Sequence, residues 1–227
     1  MSTLYLIATP IGNLQDISIR SLDILKSVAF IACEDTRTSG RLLQNYGITT
    51  PTLSFHQHNE HQKMKQLLAH LSSGRDIALI SDAGTPGISD PGFLAARAAH
   101  QNGYTVCAVP GASAILTALS ASGLPCDRFL FEGFLPVKKG RKTRLDFVVD
   151  QEYTVILYES VHRIRKLMSE LSSRADGSRM VAICRELTKQ FEEIIRGNIT
   201  DVMQKVKDHQ HLKGEFVVII AGKNYTE

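Results

Sequence analysis

The segment 81–93, SDAGTPGISDPGF, holds a dense set of residues that could bind a small ligand. It contains three glycines, two prolines and two aspartates, and it follows a short apolar run at 77–80. Glycine lets the backbone approach a ligand closely, and proline reduces the entropy lost when a loop becomes ordered around it. Asp82 could accept hydrogen bonds from an ammonium group or from hydroxyls, and no lysine lies beside it to neutralise a phosphate. The loop therefore favours a ligand with a cationic or hydroxylated face over a triphosphate.

Two further loops, TPIGNL at 9–14 and VPGASA at 109–114, follow apolar runs in the same way. Neither loop contains the GxGxxG or GxxxxGK[ST] pattern of a phosphate cradle, and Pro10 has no N–H to offer a phosphate. Ser113 is placed as a possible cap of the next helix. Proline–glycine turns are commonly plain connectors, but three of them at the carboxyl ends of predicted parallel strands indicate a ligand site.

Acidic residues at other predicted strand ends are candidates for proton transfer. Glu34 and Asp35 follow the run 28–33, and Glu159 follows the run 154–158. A carboxylate within reach of a weak hydroxyl nucleophile would assist its reaction. Asp35 has an alternative role as the cap of the following helix, and Arg37 can pair with these acids or meet a phosphate.

A cluster of basic residues lies in the segment VKKGRKTRL. It can track an RNA backbone through contacts that carry no sequence information, or it can be an ordinary solvated surface. Its members are Lys138, Lys139, Arg141, Lys142 and Arg144. By contrast, the histidines of FHQHNEH lack a partner cysteine or an HExxH spacing, so we expect no metal site.

The elements that must position these residues alternate along the whole chain. Continuous apolar runs are typical of strands buried on both faces, and amphipathic segments lie between them, which predicts an α/β protein with mostly parallel sheets. The Gly, Pro and polar cluster near 122–128 predicts a boundary between two α/β domains, at 1–120 and 121–227. The composition is that of a globular protein, with a net charge of only +3 and 4 cysteines without CxxC spacing. With no basic N-terminal leader and no membrane-length apolar run, we expect a soluble cytoplasmic protein.

Eight segments, taken together, are more specific than any single motif: ATPIGNLQDIS, ACEDTRTSGRLL, FHQHNE, LISDAGTPGISDPG, VPGASAILTALSASGLP, FLFEGFLP, YESVHRI and RELTKQFEE. In this order they closely resemble the bacterial ribosomal RNA small subunit methyltransferase I family, within the tetrapyrrole methylase superfamily. The resemblance covers nearly the whole chain. It implies a class III methyltransferase fold with the cofactor in the interdomain cleft, a homodimer, and S-adenosylmethionine-dependent methylation of a cytidine ribose 2′-hydroxyl in small-subunit ribosomal RNA. The substrate would be the small ribosomal subunit or its RNA.

The same resemblance implies a set of cofactor-binding residues, drawn from the three loops and from one strand end: Pro10, Asp82, Gly84, Thr85, Ile88, Ser113, Ala114 and Tyr158. The cofactor carries a sulfonium, an amino acid and an adenosine but no phosphate, which agrees with the chemistry of the loops. Two alternatives remain open at this point. One is a tetrapyrrole methylase, although such relatives usually have a GxGxGD turn where this chain has TPIGNL. The other is a non-catalytic RNA-binding protein with the same fold.

Overall fold

The computed structural model describes residues 2–227, which form two compact units. The first ends at Ser113 and the second comprises Ala114–Glu227. The predicted boundary at 120/121 falls inside a helix, Ala114–Ser122, whose backbone belongs to the second unit because it packs on strands of the second sheet. Among the described residues, no helix is long and apolar enough to span a bilayer.

The first unit is a parallel sheet of five strands in the order β3-β2-β4-β1-β5. Strands β2 and β4, FIAC and IALI, are buried at every position, as continuous apolar runs predict. Its elements in chain order are β1 Thr3–Ile7, α1 Ile19–Ser27, β2 Phe30–Cys33, α2 Thr36–Asn45, β3 Thr52–Ser54, α3 Glu60–Ser72, β4 Ile77–Ile80, α4 Phe93–Gln101 and β5 Thr105–Val109.

The second unit also contains a sheet of five strands, in the order β6-β7-β10-β8-β9. Its elements are α5 Ala114–Ser122, β6 Phe129–Phe134, α6 Arg141–Asp150, β7 Thr154–Ser160, α7 Ile164–Ser172, β8 Met180–Arg185, β9 Glu193–Asn198, α8 Ile199–Asp208 and β10 Glu215–Ile220. Alternate residues of β8 face opposite layers: Ile183 joins the core formed with α6, α7 and α8, whereas the Cys184 thiol donates to the carbonyl of Ala118 on α5 at 3.8 Å.

The expectation of mostly parallel strands is wrong for this second sheet. Only β6 and β7 pair in parallel, and the other three pairings are antiparallel. The physical reason is that helices cover both faces of the sheet, so its strands are continuously apolar whichever way they run. Continuous apolar runs in the sequence do not mark β3 or β9. Strands β3 and β9 are edge strands with few buried residues, which weakens the apolar signal.

Candidate functional site

The three glycine-bearing loops meet at the carboxyl edge of the first sheet, because β4, β1 and β5 are parallel neighbours. Thr9 and Gly84 exchange backbone hydrogen bonds, each N–H donating to the other's carbonyl at 2.9 Å. The Thr85 hydroxyl donates to the carbonyl of Ala112 at 3.3 Å. These bonds connect the loop after β4 to the loops after β1 and β5. The strand order confirms the prediction that all three loops lie at one edge of the sheet.

The loop after β4 has a backbone that depends on glycine. The N–H of Gly87 donates to the carbonyl of Pro91 at 3.1 Å, which closes the loop on itself. Gly92 has φ +141°, and a Cβ there would lie 2.9 Å from the nitrogen of Gly87, so no larger residue fits. The loop holds Ile88 at the surface, 44% exposed, and Asp90 half-buried.

Three carboxylates interact at this edge: Glu34 after β2, and Asp82 and Asp90 after β4. The N–H of Asp82 donates to Glu34 Oε2 at 3.4 Å, and Asp82 Oδ1 accepts from the N–H of Asp35 at 3.1 Å. Partial burial raises the pKa of Glu34, and the charge of Asp82 adds to that rise. Burial also raises the pKa of Asp82, and it raises the pKa of Asp90 to about 7, where the charges of Glu34 and Asp82 contribute. A bound cation at this edge would offset both the loss of hydration and the repulsion between the carboxylates.

Asp35 differs from these carboxylates because it is the N-cap of α2. It accepts from the backbone N–H of Arg37 at 2.8 Å and pairs with the Arg37 guanidinium at 2.7 Å. These hydrogen bonds lower the pKa of Asp35 to about 2, which makes it a weak proton acceptor. The alternative role predicted for Asp35, helix capping, is confirmed.

The remaining predicted cofactor residues lie in both units. Pro10 follows Thr9 and is half-buried, and Ser113 directly precedes α5, whose first residue is Ala114. Tyr158 is half-buried on β7, where its ring lies 5.0 Å from that of Phe131 between centroids.

Glu159, the remaining predicted catalytic residue, follows Tyr158 on β7 and has a fully buried side chain. Its Oε1 pairs with Arg163 Nε at 2.8 Å and accepts from the N–H of Ser160 at 2.7 Å. A carboxylate with these contacts inside the protein is placed to hold Arg163.

The basic segment of the second unit contains one buried arginine and four exposed basic residues. The Arg141 guanidinium is buried, pairs with Glu170 at 2.7 Å and donates to the carbonyl of Pro136 at 3.1 Å. Arg144 pairs with Glu132 at 2.6 Å. Arg141 is therefore held inside the protein and is not placed to contact RNA. The exposed members are Lys138, Lys139, Lys142 and Arg144.

Across residues 2–227, no group of three or more His, Cys, Asp or Glu side chains is arranged to hold a metal ion. His56 instead takes part in a local turn, where its N–H donates to Asn59 Oδ1 at 2.9 Å. Sequence reasoning did not single out Asp90 as a functional residue. The available signal was its place as the second aspartate of the loop 81–93, but its interaction with Glu34 arises only in the folded chain.

Comparison with known proteins assigns the fold to a family. The model of the Tetrapyrrole (Corrin/Porphyrin) Methylases matches residues 3–203. The chain is 50% identical over 222 residues to the ribosomal RNA small subunit methyltransferase I of Pasteurella multocida strain Pm70, covering 97% of this chain and 79% of that protein. It is 47% identical to the protein of the same name from Pseudomonas aeruginosa strain PAO1, with the same coverage. The chain belongs to the ribosomal RNA small subunit methyltransferase I family.

Membership of this family confirms the resemblance found in the sequence motifs and the class III methyltransferase fold. A solved uroporphyrin-III C-methyltransferase from Thermus thermophilus, complexed with S-adenosyl homocysteine, has the same fold. Its TM-score is 0.64 at 15% identity, and the match covers 97% of each chain. At that identity the likeness concerns the fold alone.

Proposed function

We propose that this member of the methyltransferase I family transfers the methyl group of S-adenosylmethionine to a cytidine ribose 2′-hydroxyl in small-subunit ribosomal RNA. The observation that carries the proposal is 50% identity to a ribosomal RNA small subunit methyltransferase I over 97% of the chain. The substrate is the small ribosomal subunit or its RNA. The homodimer and the cytoplasmic location expected from the sequence stay predictions.

The carboxyl edge of the first sheet suits this cofactor. Partial burial and mutual repulsion raise the pKa values of its acids, so a positively charged ligand is stabilised there. Pro10 has no N–H to give a phosphate, and S-adenosylmethionine carries none. When bound, the cofactor supplies a methyl group already activated on a sulfonium. The residues of the first unit proposed to hold the cofactor are Pro10, Asp82, Gly84, Thr85, Ile88 and Ser113. For the second unit, Ala114 and Tyr158 stay predictions that rest on the family resemblance.

Removing the proton from a ribose hydroxyl needs an acceptor whose pKa lies near neutrality. Asp90 meets this requirement, because burial raises its pKa to about 7. Burial also raises the pKa of Glu34, whereas hydrogen bonds from Arg37 lower that of Asp35 to about 2. We therefore place proton acceptance on Glu34 or Asp90. Single-turnover rates of the variants Glu34→Gln, Asp90→Asn and Asp35→Asn identify the proton acceptor. We expect only the variant that lacks the acceptor to slow methyl transfer without weakening cofactor binding.

RNA contact in the second unit is proposed for the exposed lysines, which give affinity through phosphates. They are Lys138, Lys139 and Lys142.

The deciding experiment supplies tritiated S-adenosylmethionine together with small ribosomal subunits from a strain that lacks the modification. We expect label in one cytidine, in a ribose 2′-O-methyl group that makes the adjacent 3′ phosphodiester resistant to alkaline hydrolysis. Parallel reactions contain uroporphyrinogen as the acceptor. Label found only in the tetrapyrrole refutes the proposed substrate, and no label in either acceptor, despite cofactor binding measured by calorimetry, indicates a non-catalytic binding protein.

A further inference from the structure

Strand β6 contains an irregularity that changes which side chains face its neighbour β7. Phe131 pairs with Ile156 and Gly133 pairs with Leu157, so Glu132 is an extra residue in the ladder. Gly133 has φ +63°, a conformation that accommodates this bulge. Bulges bend a strand and re-aim its side chains, and they recur next to functional sites.

The bulge brings two aromatic rings of β6 against one ring of β7. Phe131 and Phe134, three positions apart, would face opposite sides of a regular strand. Here both rings lie against Tyr158, at centroid distances of 5.0 and 5.5 Å. Phe134 is the last residue of β6 and is 55% exposed. The strand thus presents a supported aromatic ring to solvent at its carboxyl end.

A guanidinium is held close to the exposed ring. The Arg163 guanidinium carbon lies 5.9 Å from the centroid of Phe134. One of its terminal nitrogens donates to the carbonyl of Leu135 at 3.2 Å, and its Nε pairs with Glu159 at 2.8 Å. These contacts fix the position of Arg163, so that its guanidinium lies over the Phe134 ring in a cation–π contact at low conformational cost.

Glu159 explains why this arrangement is rigid. Its side chain is fully buried, and its second carboxylate oxygen, Oε2, has no hydrogen-bond partner among the described residues. A buried carboxylate is costly unless it is paired, so the ion pair with Arg163 is strongly favoured over a free arginine. Glu159 acts through Arg163, which makes it a positioning residue.

We propose that Phe134 and Arg163 form a stacking platform for a nucleobase of the RNA substrate. Aromatic rings and guanidinium planes are the groups on which proteins stack unpaired bases. Lys138 and Lys139 are exposed and follow Phe134 by four and five positions. Extended spans of four and five residues reach at most about 14 and 18 Å, so both charges lie within reach of the backbone of one short RNA segment. The inference rests on the proposed function, since it takes RNA as the substrate.

The first test replaces the ring while keeping an apolar side chain. Phe134→Leu is expected to raise the KM for small subunits at least fivefold, the lower bound for losing one base stack. The Kd for S-adenosylmethionine is expected to stay unchanged, and Phe134→Trp is expected to keep the wild-type KM. The matched control is Phe129→Leu at the other end of β6, where the ring is 38% exposed. A wild-type KM for Phe134→Leu, or an equal increase for Phe129→Leu, overturns the platform.

The second test examines the positioning role. Glu159→Gln keeps an acceptor for the Ser160 N–H but removes the charge that holds Arg163. We expect a raised KM for RNA with kcat at saturating RNA preserved, and no further increase when Phe134→Leu is added. Arg163→Lys is the alternative variant, tested in the same way if Glu159→Gln does not fold. An unchanged KM in the folded variant, or a loss confined to kcat, refutes this role.

The wild-type reaction separates the two proposals. If the wild-type protein methylates small subunits and Phe134→Leu has an unchanged KM, the platform fails while the proposed function stands. If the wild-type protein labels only a tetrapyrrole, the proposed function fails, and the RNA platform fails with it. A KM effect of Phe134→Leu on RNA methylation supports both.

Discussion

Replacing Asp82 by asparagine tests whether the carboxyl edge of the first sheet recognises a cation. Asparagine has the same shape and keeps an oxygen that can accept from the N–H of Asp35, a bond of 3.1 Å in the wild-type protein. The substitution therefore removes charge and leaves the loop connection in place. We expect the affinity for S-adenosylmethionine to fall by a factor of about 10 to 100.

The magnitude follows from the surroundings of Asp82. Two unit charges 4 Å apart attract by about 1 kcal/mol in water and by about 4 kcal/mol at an effective dielectric constant of 20. The Asp82 residue is exposed, but neighbouring atoms exclude enough water from its carboxylate to raise its pKa. The effective dielectric constant around it therefore lies between that of water and 20. An intermediate loss of roughly 1.4 to 2.7 kcal/mol corresponds to the tenfold to hundredfold range.

Isothermal titration calorimetry of the wild-type protein and two variants measures this loss. The matched control is Asp76→Asn, because Asp76 directly precedes β4, whereas Asp82 lies just beyond its carboxyl end. Asp76 Oδ1 accepts from the N–H of Thr3 at 2.7 Å, a bond that asparagine also permits. We expect Asp76→Asn to bind the cofactor as the wild-type protein does. If folded Asp82→Asn binds within twofold of wild type, electrostatic recognition at this edge is refuted.

Three further perturbations test other parts of the structure. The pKa of Asp90 is raised from 3.8 to about 7, so its contribution to stability is full below pH 3.8 and is lost as the pH rises through 7. Between about pH 4 and pH 8 the wild-type Tm should therefore fall relative to that of Asp90→Asn, and parallel Tm curves would contradict this. Glu170→Gln leaves the buried Arg141 without its ionic partner and should cost about 3 kcal/mol in denaturant unfolding, whereas Lys166→Gln, which removes the exposed 4.0 Å partner of Glu170, should cost less than about 0.5 kcal/mol. Equal losses would exclude a special role for the buried pair. The third perturbation replaces the exposed lysines Lys138, Lys139 and Lys142 by glutamine. The slope of log affinity for RNA against log salt concentration should become shallower by about 0.7 to 0.9 for each phosphate that is no longer neutralised. An unchanged slope would show that these lysines do not contact the RNA.

Much of the first unit could be predicted from local patterns. The runs FIAC and IALI are apolar at every position, which indicates strands covered on both faces, and the loops that follow such strands in a parallel sheet share one edge. The cap formed by Asp35 is also a local property, since its partner Arg37 lies two residues away. These features depend on residues close together in the chain, and for that reason the sequence revealed them.

Contacts between residues far apart in the sequence could not be predicted from local patterns. Arg141 reads as one member of a basic run, but Glu170 on α7 pairs with it inside the protein. The interaction of Asp90 with Glu34 arises because β2 and β4 are neighbours in the sheet. The bulge at Glu132 depends on the register with β7, which the apolar pattern of β6 does not specify.

The amino-acid sequence by itself determined the family, the alternation of strands and helices, and the phosphate-free chemistry of the loops, because these reside in residue types and short spacings. Only the tertiary structure decided the direction of the strands in the second sheet, which acids repel one another, and which cations remain exposed. Burial and charge interaction depend on distance in space, and folding brings together residues that the chain holds far apart.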